Sequence, residues 1–196
     1  MKTIHTCNIN FRSEDLLSRF KYQPKLTPLL DNYNKDFDQE IINEIVLWKV
    51  NRYAKIPEFI LEKINQINKG SDILDKSLTQ EIIAELLKAE NNGFGLPMIS
   101  TILRFKNPSI YQIIDQRVYR FIYGEDLKLK QTSTQTEINK QIELYVKYLT
   151  DLRTKCDELG ITFINADRIL YLADKDLNKD VPLKNYGKIS NKNSLL

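Results

Sequence analysis

Apolar residues recur along this chain at three- and four-residue intervals and almost nowhere alternate. In DQEIINEIVLWKVNRYA, from Asp38, helical spacing relates Ile41, Ile45, Trp48 and Arg52, with Ile42, Val46 and Lys49 alongside. Pro57 ends that helix and opens the next, PEFILEKINQINKG, for which Gly70 is the C-cap candidate. Ser77 or Thr79 starts TQEIIAELLKAE, with Ile82, Leu86 and Leu87 on one face. A tight turn, Asn91-Asn92-Gly93-Phe94-Gly95, leads into a helix over residues 96–105. Asn107-Pro108 interrupts the pattern, the short apolar run IYQII follows, and residues 115–123 read as a helix capped by Gly124. A polar loop over 125–136 precedes a long helix over 137–159 that ends at Gly160. NADRILYLADKDLNK supplies the last helix, on Ile169, Leu170 and Leu172. The first 35 residues, interrupted by Pro24 and Pro28, read as irregular, and the tail over 182–196 as frayed. Strand patterns are nearly absent and no repeat is found. The expected class is all-α, in one domain over residues 1–196.

Composition narrows the chemistry. With 196 residues, 42% hydrophobic and 28% charged, the chain can bury a sizeable core as an ordinary globular protein. A net charge of +3 permits nucleic-acid binding without demanding it. Cys7 and Cys156 are the two cysteines and His5 the one histidine. They cannot furnish a four-thiolate zinc site or hold an iron–sulfur cluster on thiolates alone, and no metal site is expected. A His-dependent triad is disfavoured because His5 lies in an N-terminal segment read as mobile. No apolar run reaches about 18 residues and no signal-peptide core is present, so a cytoplasmic protein with reduced thiols and no membrane partner is expected.

Two features between residues 91 and 124 carry the functional reading. Glycines at Gly93 and Gly95 can take positive φ and turn successive N–H groups toward one anion at a helix N-terminus. Lys88, Arg104 and Lys106 lie near in sequence and could add positive charge. The same turn serves equally well as a ligand-free link between helices. Asp115 stands at the head of QRVYRFIYG. As an N-cap it contributes about 1 kcal/mol, and the helix N-terminus also favours an ionised carboxylate available for chemistry.

Taken together, GFGLPMISTIL followed by IIDQRVYRFIYG resembles the HhH-GPD superfamily of DNA glycosylases. The likeness covers residues 79–124: Leu86 and Leu87 before the hairpin, Gly93 and Gly95 in it, Ile99, Ile102 and Leu103 after it. Asn107-Pro108 and an apolar run into Asp115 complete it, with Val118 and Arg120 in the following helix. ADRILYLADK is similar, less specifically, to the family's closing segment. Bifunctional members carry a lysine two residues after the second hairpin glycine; here that position is Pro97. The resemblance therefore implies a monofunctional glycosylase that hydrolyses the N-glycosidic bond and leaves an abasic site, because no Schiff base can form in the family's usual way. The cysteine cluster of some members is also missing, so no iron–sulfur cluster is implied.

The resemblance further implies two small helical lobes around a cleft, acting as a monomer on double-stranded DNA with a flipped target base. Asp115 would be the catalytic carboxylate. Gly93, Gly95, Asn92, Arg104, Lys106 and Arg117 would meet the DNA backbone, and hairpin carbonyls can hold a monovalent cation. Trp48, Lys49, Arg52 and Tyr53, within the helices of residues 38–68, would form the base pocket. Plainer roles stand beside each: core for Trp48, ion pairs with Glu44 or Glu62 for Lys49 and Arg52, a helix C-cap for Asn92, packing for Tyr111 and Tyr119, backbone bonding for Ser100, acid partners for Arg117 and Arg120. The base could be damaged, mismatched or phage-modified, in repair or phage defence. The alternative function is a non-catalytic helix-hairpin-helix DNA-binding module.

Overall fold

Aspartates, not glycines, set the helix starts that matter most. A computed structural model describes residues 1–6, 13–20, 23, 26–50, 56–88, 94–130 and 134–183. Its helices are α1 (Ser13–Ser18), α2 (Leu26–Asp31), α3 (Gln39–Val50), α4 (Glu58–Asn65) and α5 (Lys76–Leu87). They continue with α6 (Leu96–Lys106), α7 (Gln116–Tyr123), α8 (Gln135–Leu159) and α9 (Ala166–Leu177), with a 3-10 turn at Phe163–Asn165 before α9. No strand occurs among the described residues, and the fold is all-α. None of these helices is long and apolar enough to cross a membrane.

Asp38 opens α3 by accepting the Ile41 N–H at 3.0 Å. Asp75 does the same for α5 with Leu78, so that helix begins ahead of Ser77 and Thr79. α4 stops at Asn65, short of Gly70. At that end the Asn65 amide clasps the Phe37 backbone, accepting its N–H and donating to its carbonyl. The stretch read as irregular holds α1 and α2. Pro28 is the third residue of α2, in the helix's first turn, where proline is tolerated. Gly124 and Gly160 close α7 and α8 in the left-handed region, with φ of 75° and 64°.

α5 packs on α4, α6 and α8; α3 packs on α2 and α6; α7 lies on α9, with α1 on its other flank. One apolar core runs from Leu30 to Ala173. α6 sits inside it, buried from Ile99 through Lys106. The start of the chain is tied to α7, contrary to the mobile segment expected there. Ile4 N–H donates to Phe121 O at 3.0 Å, and the His5 Nε2 lies 2.8 Å from Ile122 O.

Candidate active site

The segment between α6 and α7 delivers Asp115, and its buried polar side chains and several of its backbone groups are held. Asn107, fully buried, donates from its amide to Asn68 O and Ser71 O. Gln112 donates to Pro108 O and accepts from the Asp167 N–H. Tyr145 and Tyr148 of α8 donate to the carbonyls of Gln112 and Ile113. The Ser100 hydroxyl donates to Pro97 O, as its backbone-bonding reading anticipated, and accepts the Ile114 N–H at 3.1 Å. A segment with its backbone groups so paired presents the next side chain in one orientation.

That side chain is Asp115. It caps α7, with Oδ1 accepting the Arg117 N–H at 2.7 Å and its carbonyl accepting from Tyr119 N–H. The carboxylate is half-buried and borders a cavity of about 190 Å³. Trp48 and Lys49 of α3 line the same cavity, with Arg104 and Phe105 of α6 and Ile113. Val118 of α7, Asp167, Arg168 and Tyr171 of α9, and Phe20 beyond α1 complete the wall. The volume is small beside the about 300–1,000 Å³ of sites for drug-sized ligands, and suits one flat ring system.

Trp48 is both core and wall. Its Nε1 donates to the Thr27 hydroxyl at 2.7 Å, and its ring meets Phe105 edge-on at 5.2 Å. Arg104 was expected on the DNA backbone, and the fold corrects this: it is 2% exposed and belongs to the cavity wall. Its Nη1 pairs with Asp31 Oδ1 and its Nη2 donates to Ile164 O. Asp31 Oδ2 takes Arg168 in turn, and Arg168 stacks over Phe20. Lys106 is corrected likewise. It is buried, bonded to Asn65 Oδ1 at 3.1 Å and set over the Phe37 ring. Burial lowers its pKa despite the opposing charge of Asp36. Both corrections share one cause: α6 is surrounded, so its last-turn cations find partners inside.

Arg117 keeps solvent access at 23% side-chain exposure, beside Asp174 and the Tyr171 ring. Arg120 is fully buried and grips Asp174 with two bonds, 2.8 and 2.7 Å, so its acid-partner reading holds. Gly95 is the residue before α6 at φ −75°, a conformation any residue adopts, so no positive φ is needed there. Asn92, Gly93, Arg52 and Tyr53 lie outside the described residues, and so do the hairpin carbonyls of residues 91–93; the Gly95 carbonyl accepts from the Met98 and Ile99 N–H groups. Among those described, no group of three or more His, Cys, Asp or Glu is placed to hold a metal ion.

Sequence reading missed Phe20, Asp31, Asp167, Arg168 and Tyr171. α9 did carry a signal: Asp167, Leu170, Tyr171 and Asp174 fall at i, i+3, i+4 and i+7, two acids on one stripe with apolar residues. Both acids are buried. Asp31 offered none, because its partners are 73 and 137 residues away. Compared with known families, curated proteins and solved structures, the chain matches none. Chemically, the site sets a carboxylate at the edge of a cavity walled by aromatic and cationic side chains.

Proposed function

We propose that this chain is a monofunctional DNA glycosylase of helix-hairpin-helix type, a cytoplasmic monomer whose two helical lobes flank the cavity. One observation carries the reading: Asp115 at the N-terminus of α7 borders the same aromatic cavity as Trp48 and Lys49 of α3. Those residues are far apart in sequence, and the family resemblance assigns them to one reaction.

A base rotated out of duplex DNA enters the cavity and stacks among its rings. The C1′–N bond breaks with its electron pair leaving on the base, while positive charge grows on the sugar. Asp115 stabilises that charge and takes a proton from water as the water oxygen bonds to C1′. The departing base gains a proton, and an abasic site remains. Pro97, at the second position of α6, offers no amine for a Schiff base with the sugar. Lys49 is the amine in the cavity wall, and borohydride trapping of a DNA adduct would reveal any lyase step through it.

The test is base release from duplex oligonucleotides and modified phage DNAs, comparing wild type with Asp115→Asn and revealing abasic sites with alkali. Release by wild type and none by the variant supports the reading. Equal release by both removes Asp115 from the chemistry. Binding without release by either favours the non-catalytic module.

A further inference from the structure

The carboxylate of Asp167 is fastened through one oxygen and left open at the other. Asp167 is the second residue of α9, 6% exposed, and lines the cavity. Its N–H donates to Gln112 Oε1 at 3.3 Å, and its Oδ1 accepts the Arg168 N–H at 2.8 Å. The nearest cation to its Oδ2 is Arg104 Nε at 3.7 Å, beyond hydrogen-bond reach. Among the described residues, Arg104 Nε is the side-chain polar atom that is both sealed off and without a hydrogen bond. Asp167 Oδ2 is equally unbonded yet not sealed off, and the cavity is the space that its residue borders. Asp31, by contrast, gives one oxygen to Arg104 and the other to Arg168. The α9 wall therefore holds a buried acceptor, fixed in place and without a donor.

We propose that Asp167 reads the edge of the base held in the cavity. Oδ2 accepts a ring N–H or amino hydrogen, so the cavity takes bases that present such a donor and discriminates against those alkylated at that nitrogen. This rests on the glycosylase reading of the site, which gives Asp115 to the sugar and leaves Asp167 for the base. A carboxylate oxygen accepts hydrogen bonds and donates none. A base that turns a methyl group or a lone pair toward Oδ2 displaces water from it and returns no hydrogen bond. A site built around a polar partner rejects the analogue that lacks it more strongly than an apolar wall does. The discrimination turns on one hydrogen, and the net charge of the wall does not enter it. Gln112 supports the arrangement, because its amide also donates to Pro108 O. One side chain thus ties the segment that carries Asp115 to the start of α9 that carries Asp167.

The experiment uses bases that differ by one N–H. Uracil and 3-methyluracil, hypoxanthine and 1-methylhypoxanthine, and adenine and N6,N6-dimethyladenine are titrated as free bases against Trp48 fluorescence. Trp48 is the single tryptophan of the chain and part of the wall. In at least one pair the N–H member should bind wild type about tenfold more tightly, the worth of one hydrogen bond to a charged group. Asp167→Asn keeps an oxygen for the Arg168 N–H and sets an amide N–H where Oδ2 stood, so that preference should vanish or reverse. Asp167→Ala removes the acceptor and adds no donor, and should abolish it. Urea midpoints check that both variants fold. A preference that survives both substitutions reports the size of the methyl group and overturns the proposal. Equal binding within every pair, or no binding of any base, overturns it as well. A second arm assays duplexes carrying the same bases for release. Binding that depends on both the N–H and Asp167, with no release from any duplex, sustains the assignment of Asp167 and removes the glycosylase reading for these bases. Release that is indifferent to the N–H removes Asp167 and leaves the glycosylase reading intact.

Discussion

The Tyr148 hydroxyl donates a 2.8 Å hydrogen bond to the carbonyl oxygen of Ile113, two residues ahead of Asp115. Tyr145, one turn earlier on α8, holds the Gln112 carbonyl at 3.0 Å. α8 lines no part of the cavity, yet it fixes the segment that delivers the carboxylate. Tyr148→Phe keeps the ring and leaves the Ile113 carbonyl buried without its donor, so it should destabilise the fold by about 1–3 kcal/mol. Urea denaturation measures this. On the glycosylase reading, single-turnover base release should fall while DNA affinity holds, since Tyr148 is fully buried and holds the segment ahead of Asp115. Equal loss of both would mean a purely structural role.

Asp174 joins α9 to α7 through Arg120, with both side chains fully buried. Asn178 also donates to Asp174 Oδ1 at 2.9 Å. Removing the acid strands a buried guanidinium, so Asp174→Ala should cost about 3–5 kcal/mol. A chemical-denaturation midpoint will show it. The exposed pair of Arg19 with Asp176 is the control, and Asp176→Ala should leave that midpoint nearly unchanged.

Cys156 gives the stability a sign with pH. Burial pushes its thiol from 9.0 up to about 12, with the charge of Asp157 adding to the effect. Between those values the unfolded chain has released a proton that the folded chain keeps. Stability from this group is therefore complete below about pH 9 and declines as pH rises toward about 12, by at most about 1.4 kcal/mol per pH unit. Tyr145 and Tyr148, raised well above 10.0 by burial, deepen the loss at higher pH. Urea midpoints between about pH 9 and 10 should fall for wild type and fall less for Cys156→Ala.

The glycines separate two uses of one residue type. Gly160 sits at φ 64° with open space where a Cβ would go, so Gly160→Ala meets backbone strain alone, roughly 1–2 kcal/mol. At Gly95 a Cβ would lie 3.7 Å from Pro97 Cδ, an ordinary contact, and φ is negative. Gly95→Ala should be neutral or stabilise by up to about 1 kcal/mol. Thermal melting checks both. If the hairpin anchors a phosphate at Gly95, the same variant should lose DNA affinity without losing stability.

What the sequence made legible was local. The start of α7 at Asp115 and its end at Gly124 follow from an N-cap carboxylate and a left-handed glycine, and both were read. So were α9 and the end of α8 at Gly160. Trp48, Lys49 and Asp115 were each named, and they share one cavity. The failures were long-range. α4 ends at Asn65, whose amide clasps Phe37, 28 residues away. Arg104 and Lys106 looked like surface cations, because charge type says nothing of where Asp31 and Asn65 will stand. LPMISTILRF held one clue: a helix with so few polar positions has little solvent-facing side, so its terminal cations turn inward.

Burial of Arg104 and Lys106 leaves Arg117, of the three cations expected on DNA, with solvent access. It follows Asp115 by two residues, so on the glycosylase reading a phosphate beside the reacting sugar would fall within its neighbourhood. Its tie to Asp174 is single, at 3.2 Å, whereas Arg120 holds the same acid with two bonds. Arg117→Gln should therefore cost less than about 1 kcal/mol of stability. Its effect should fall on DNA instead: affinity drops similarly for every sequence, and the slope of log affinity against log salt shrinks by about one. Fluorescence anisotropy across a salt series measures both. An unchanged slope would mean that the duplex approaches from another face and that Arg117 serves only the contact between α7 and α9.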